Sequence, residues 1–352
     1  MGFSYGFVTF FYKDDEQQKW VQAETRLRSQ MPLPNEQDRE FNAFGWALSA
    51  SADGNLLAVS ARGTKAHNGA VEIFKCAPGF RNCAFWHGLQ PADDTTYTGP
   101  RGIQIRNNFG MSIALSGNGR TLAVGSTGYE YEQGTVFVYE REAPTDHFTT
   151  PAAQLFSGSP QKYGYFGYKV AVDQDGLVVA AGADGEDEYR GKAYSFHRKT
   201  QRAAWSAPLQ LEIPEAMRLE EDNFGGSIAL SGDGQVLAVG APGAKMKGEG
   251  DHGALYLYEL LDGGWELSQT LRRSPEKSVS GDLFAWTVCL DEKGSRVVVG
   301  APEVETSNGL VTLAMFKKSG RKNPTTDSLL RDDIISYYRN VEIDDGSEKI
   351  EL

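Results

Sequence analysis

Three groups of residues have types and spacing that could do chemistry. Asp173-Gln174-Asp175-Gly176 sets two carboxylates one residue apart, as a calcium loop would, but the run passes straight into Leu177-Val178-Val179 with no closing acid. Calcium takes about six to eight oxygens, so the segment reads as a turn and no metal is expected. His67 and His252 each stand just before a glycine and could form an acid–base pair. Neither has a carboxylate or a nucleophile close in sequence, so both read as solvated. Cys76 and Cys83 flank Ala77 to Asn82, where the chain must turn back on itself and can bring the two Cα atoms within about 7 Å. This pair predicts a disulfide, whereas Cys289, in an apolar run, reads as a buried free thiol.

The signatures of serine hydrolases, zinc proteases, nucleotide-binding P-loops and Cys-x-x-Cys redox sites do not occur. What remains is the chemistry of surfaces. Tyr129, Tyr131 and Tyr189 offer aromatic contact area, Asp184, Glu186, Asp187 and Glu188 form an acidic cluster, and Lys245, Lys247 and His252 supply basic groups. Their use depends on the scaffold that brings them together.

That scaffold is repetitive. Phe44-Gly45, Phe109-Gly110, Phe166-Gly167, Phe224-Gly225 and Phe284-Ala285 open five units spaced by 65, 57, 58 and 60 residues. Ten residues after each Phe comes a glycine (Gly54, Gly119, Gly176, Gly234, Gly294), and six residues later a small residue (Ser60, Gly125, Gly182, Gly240, Gly300). Ser231-Gly232-Asp233-Gly234 between Ser227–Leu230 and Val236–Val239 reads as a hairpin, its glycine supplying a positive φ. A third strand opens on Gly and closes on an aromatic, as in Gly69 to Phe74, Gly134 to Tyr139, Gly191 to Phe196 and Gly253 to Tyr258. These aromatics read as packing between repeats. A fourth strand is expected over Trp205 to Leu211 and Trp265 to Leu271. Four antiparallel strands per repeat predict an all-β fold, a β-propeller. Gly6 to Phe11 matches a third strand, Trp20 to Leu27 a fourth, and Val341 to Leu352 a first and second. The chain is therefore expected to be one propeller domain over residues 1–352, its units beginning near 44, 109, 166, 224 and 284. A sixth blade would be shared between 1–40 and 327–352, closing the ring.

Composition agrees. The 40% hydrophobic and 23% charged residues suit a folded core, and 40 glycines suit many tight turns. A net charge of -12 opposes nucleic acid as a partner. No apolar run is long enough to insert in a membrane, and Phe3 to Tyr12 lacks the basic flank and cleavage site of a leader.

Phe-Gly at the start of each unit, with Gly240-Ala241-Pro242 and Gly300-Ala301-Pro302 after the second strand, resembles the FG-GAP repeat, which builds the N-terminal propeller of integrin α chains. Such propellers commonly have seven blades, so seven is the alternative to the six that chain length suggests. Calcium-binding members carry acidic loops between the first two strands. Here the turns Ser51 to Gly54, Ser116 to Gly119, Ser231 to Gly234 and Asp291 to Gly294 hold too few acids, and no cofactor is expected.

Antiparallel order puts the loops after the second strand on one face. They run from Ala61 to Asn68, Ser126 to Gln133, Ala183 to Arg190, Ala241 to His252 and Ala301 to Asn308. All the surface candidates above fall there. The resemblance implies a non-catalytic adhesion or protein-interaction propeller, with a protein ligand or partner subunit docked on this rim. Its alternatives are a structural subunit of a larger assembly, and a carbohydrate hydrolase or lyase with its site at the central channel. The cysteine pair points to an extracellular, cell-surface or lumenal location.

Overall fold

The computed structural model describes residues 6–13, 19–31, 42–63, 68–77, 80, 82–91, 97–98, 104–214, 221–245, 252–262, 264–273, 281–303, 309–316 and 318. Strands β1 (Val8–Lys13) and β2 (Trp20–Leu27) pair first. Blade one is β3 (Phe44–Ala50), β4 (Leu56–Ala61), β5 (Val71–Cys76) and β6 (Cys83–Leu89), and a short pair follows, β7 (Tyr97–Thr98) with β8 (Gln104–Ile105). Blade two is β9 (Phe109–Leu115), β10 (Thr121–Ser126), β11 (Thr135–Glu140) and β12 (Pro151–Leu155). Blade three is β13 (Val170–Val172), β14 (Val178–Ala183), β15 (Lys192–His197) and β16 (Leu209–Gln210). Blade four is β17 (Ser227–Leu230), β18 (Val236–Ala241), β19 (Ala254–Leu261) and β20 (Gly264–Leu271). Blade five contributes β21 (Thr287–Leu290), β22 (Arg296–Ala301) and β23 (Leu310–Met315). The sheets are antiparallel blades of a six-bladed propeller, with β1 and β2 the described part of the sixth. Residues 327–352, expected to complete that blade, lie outside the described residues.

The repeat motifs are the joints between blades. Each glycine that opens a third strand makes a parallel bridge to the phenylalanine of the next unit: Gly69 to Phe109, Gly134 to Phe166, Gly191 to Phe224 and Gly253 to Phe284. A Cβ on Gly69, which has a φ of +88°, would sit 1.9 Å from the Phe109 carbonyl oxygen. Only glycine fits there. The small marker on the second strand has the same cause, since a Cβ on Gly182 would lie 2.1 Å from the Gly225 carbonyl oxygen.

Each phenylalanine packs edge-on or tilted against the aromatic that ends the third strand, with ring centroids 6.1 Å apart for Phe44 and Phe74, 6.2 Å for Phe109 and Tyr139, 6.0 Å for Phe166 and Phe196, and 6.4 Å for Phe224 and Tyr258. All eight rings are buried. Burial of such a side chain stabilises by roughly 1.5–3 kcal/mol, so these aromatics are packing groups, as expected. The cores lie between blades: one cluster joins blade one to two, others join two to three, three to four, and four to five, and one joins β1 and β2 to blade one.

On one face the hairpin turns are linked edge to edge. Ala52 N–H donates to the Gly117 carbonyl (2.9 Å), Asn118 to Gln174 (2.9 Å), Gln174 to Gly232 (2.9 Å) and Asp233 to Glu292 (3.0 Å). Within each turn the short polar side chains are consumed locally. Ser51 Oγ donates to Asp53 Oδ1 (2.6 Å), Asp53 Oδ1 accepts from Asn55 N–H (3.0 Å), and Ser231 with Asp233 repeats the pattern. In blade three, Asp173 Oδ1 accepts from the amides of Leu177 (2.7 Å) and Val178 (2.9 Å). The carboxylates thus serve as turn acceptors.

The Cys76–Cys83 disulfide is present, closing the hairpin between β5 and β6 with Cα atoms 4.0 Å apart. Two expectations fail. Cys289 is exposed, not buried. Side chains alternate along β21, so Val288 enters the core shared with blade four while Cys289 takes the opposite face. The fourth strand of blade three shrinks to Leu209–Gln210, because Trp205 is drawn aside under the Arg198 guanidinium (4.4 Å) and Ser206 instead bonds the backbone of His197 (2.8 Å and 3.0 Å).

Candidate binding face

The opposite face carries the loops after the second strands and a central mouth. Five consecutive blades line one cavity of about 530 Å³: Trp46 from blade one, Met111 from two, Tyr168, Lys169 and Asp184 from three, Asn223 from four and Trp286 from five. Trp46, Met111, Tyr168 and Trp286 occupy the position after Phe-Gly or Phe-Ala in four of the five units, with Gly226 in the fourth, so the joint that locks the blades also brings the next residue to the mouth. Both indoles are half exposed, at 49% each. Trp46 Nε1–H donates to the Met111 carbonyl (3.1 Å), and the Arg62 guanidinium lies 3.8 Å from the Trp46 ring centroid.

The mouth brings a carboxyl, Asp184, and an ammonium, Lys169, into one lining. Burial pushes the Asp184 carboxyl up to about 7, with backbone amides and Lys169 pulling the other way. Burial also lowers the Lys169 ammonium, which Asp184 partly restores. Asp184 Oδ1 is buried and accepts no hydrogen bond among the described residues. Tyr168 is pushed up, first by burial and then by Asp184.

Outside the mouth, blades two and three present matched loops. Glu130, Tyr131 and Glu132 have φ values of 42°, 62° and 64°, and Asp187, Glu188 and Tyr189 have 56°, 57° and 63°. Each is a run of three non-glycine residues in the left-handed region, which costs roughly 1–2 kcal/mol per residue. Backbone bonds from Gly134 to Tyr129, Tyr165 to Glu132, Gly191 to Glu186 and Asn223 to Tyr189 hold the two turns in place. They leave Tyr131 54% and Tyr189 45% exposed. Tyr189 bonds Tyr165, whose hydroxyl is pushed up by burial foremost, then by Glu132 and Tyr189, placing this loop beside the Asp184 mouth.

The surface candidates divide. Tyr131 on the loop of blade two and Tyr189 on that of blade three are exposed, and Asp187 is partly exposed. Tyr129 is half-buried against Phe137 (6.2 Å) and Phe156 (6.0 Å). Glu186 does not belong to a solvated cluster: it is fully buried, accepts from the Tyr194 hydroxyl (2.6 Å) and faces Lys192 (3.8 Å), and burial raises its carboxyl above the usual range. Asp184 leaves the rim for the mouth. His252 is buried, at 4% exposure, and its backbone joins Ala244 and Phe284, so the solvated expectation is corrected. Lys245 pairs with Glu221 (3.2 Å). Lys247 and His67 lie outside the described residues. Sequence reasoning missed Trp46, Met111, Tyr168, Lys169 and Trp286, although a large side chain recurring after Phe-Gly was a readable signal. No cluster of three or more His, Cys, Asp or Glu suited to a metal occurs among the described residues.

Residues 219–258 match the FG-GAP repeat family. The fourth unit is an FG-GAP repeat. That match, with the same joint at the other Phe-Gly positions of a six-bladed ring, supports an FG-GAP propeller. Among solved structures, the chain is similar to a Bacteroides uniformis protein provisionally named 6-phosphogluconolactonase, at 11% identity and a TM-score of 0.54 over 89% of this chain and 75% of that one. Hydrazine synthase of Kuenenia stuttgartiensis follows at 13% identity and a TM-score of 0.48, over 78% of this chain and 63% of that one. The first likeness is one of fold alone. No curated protein sequence matches the chain, and no helix among the described residues is long and apolar enough to cross a membrane.

Proposed function

We propose that this propeller is a non-catalytic interaction module that docks a protein partner on the loop face. The observation that carries this reading is the pair of left-handed turns that hold Tyr131 and Tyr189 outward beside the central mouth. Backbone strain of this kind persists where the surroundings over-determine it and clusters at binding sites, and tyrosine supplies large contact area at low entropic cost. The resemblance to integrin α propellers supports an adhesive or assembly role, and the Cys76–Cys83 bridge supports an extracellular, cell-surface or lumenal setting. Among the described residues the mouth supplies one carboxyl, Asp184, where glycoside hydrolysis ordinarily uses two, which favours binding over turnover.

The test is mutational. With a partner co-purified on the full chain, Tyr189→Ala is expected to weaken binding about tenfold or more. Lys245→Glu is expected to slow association and flatten its salt dependence, while Asp53→Asn on the opposite face leaves both unchanged. Losses from Asp53→Asn that equal those at the rim reject the assignment.

A further inference from the structure

The geometry points to a second binding activity on the same face: the central mouth takes a neutral pyranose sugar, held between Trp46 and Trp286 and hydrogen-bonded by Asp184, Lys169 and Asn223. This inference goes beyond the protein-docking reading and does not depend on it.

The cavity, about 530 Å³, falls within the range of small-molecule sites. Its lining includes two half-exposed indoles and Tyr168. Its polar groups are few and convergent. Asp184 Oδ1 is a buried acceptor without a donor among the described residues, and such a group is destabilising until a donor reaches it. A fitting ligand therefore brings at least one O–H or N–H donor for Asp184, an acceptor for the Lys169 ammonium and an apolar face for the indoles. A pyranose combines these in one rigid body: neighbouring hydroxyls that donate and accept, and a C–H face that lies flat on an aromatic ring.

Other occupants fit less well. A purely apolar anchor leaves Asp184 Oδ1 unsatisfied. A cationic side chain meets Lys169 in the lining. An anionic group competes with Asp184 for Lys169 on a chain of net charge -12. An acceptor oxygen and an ammonium in one small mouth favour a ligand that both donates and accepts hydrogen bonds.

The experiment uses the full chain and methyl glycosides of glucose, galactose, mannose and N-acetylglucosamine, with methyl glucuronide as the charged comparator. Saturation-transfer NMR and tryptophan emission report contact, and titration calorimetry reports affinity. At least one neutral glycoside is expected to bind and shift the tryptophan emission, with affinity falling about tenfold or more in both Trp286→Ala and Asp184→Asn. Tyr131→Ala, on the rim, is expected to leave sugar affinity unchanged. The inference is overturned if no neutral glycoside binds at about 10 mM, if the glucuronide binds more tightly, or if either mouth substitution leaves affinity intact. Rim-dependent protein docking without sugar binding sinks this inference and leaves the docking reading standing; sugar binding without rim-dependent docking does the reverse.

Discussion

Gly134 and Phe166 lie so close across the joint between blades two and three that a Cβ on the glycine would sit 2.1 Å from the phenylalanine carbonyl oxygen. The same pair forms a parallel bridge, and the Phe166 ring fills the inter-blade core. One contact thus fixes backbone register, packing and the direction of Tyr168 into the mouth.

Gly134→Ala is expected to destabilise the protein by about 3 kcal/mol or more, because Gly134 has a φ of +84° and no room for a methyl group. Gly264→Ala, with nothing within 4 Å of its added Cβ, is expected to change stability by less than about 0.5 kcal/mol. Denaturant unfolding of both variants checks this, and a Gly134→Ala protein as stable as the parent contradicts it.

The Asp184 carboxyl stands near 7 in the folded protein against 3.8 ordinarily, so the folded state holds an extra proton between those values. Its contribution is complete below about pH 4 and is lost as pH rises through 7. Asp184→Asn abolishes that loss. The variant is expected to gain on the parent between pH 4 and pH 8, by at most roughly 4 kcal/mol. Parallel thermal melts across that range decide it, and identical pH profiles contradict the assignment.

His87 shows the opposite sign. Burial, followed by His147, Arg141 and Lys75, lowers its ring to about 4, and its Nε2 accepts the Phe148 N–H (3.2 Å) while the ring stacks on His147 (4.5 Å). Stability from this neutral imidazole is present above pH 6.5 and is lost as pH falls toward 4. His87→Gln is expected to lose less stability than the parent over that interval. NMR titration showing His87 protonated near pH 6.5 contradicts it.

Much of the fold was legible because its joints demand particular residues. Gly69, Phe109 and Gly182 are where backbones touch between blades, and no other residue types fit, so the register repeats in the sequence. The candidate site was only half legible. The rim tyrosines were visible as loop aromatics, but the left-handed turns that expose them come from backbone bonds to neighbouring loops. Glu186 looked like its solvated neighbours, and only the Tyr194 hydroxyl reveals it as buried. Lys169 just before β13 and Asp184 just after β14 lie 15 residues apart in one blade, and their meeting with Trp46 and Trp286 needs the closed curvature of the ring.

The disulfide closes a short loop, with a sequence separation of 7, for which chain entropy gives roughly 2–3 kcal/mol. Thiol titration of the folded protein is expected to find one reactive cysteine, Cys289, and non-reducing peptide mapping to recover Cys76 joined to Cys83. Three reactive thiols contradict the bridge, and a buried, unreactive Cys289 contradicts its exposure.

The central claim is that the loop face, with its rim tyrosines around the mouth, is the working surface. Its most direct test places a photo-crosslinking amino acid at Tyr189, and separately at Asp53 on the opposite face, in the full chain exposed to an extract of its source cells. The account predicts that a discrete protein adduct forms at position 189, is lost when Tyr131→Ala is added, and is absent at position 53. Adducts of equal yield at both positions, or at position 53 alone, contradict it.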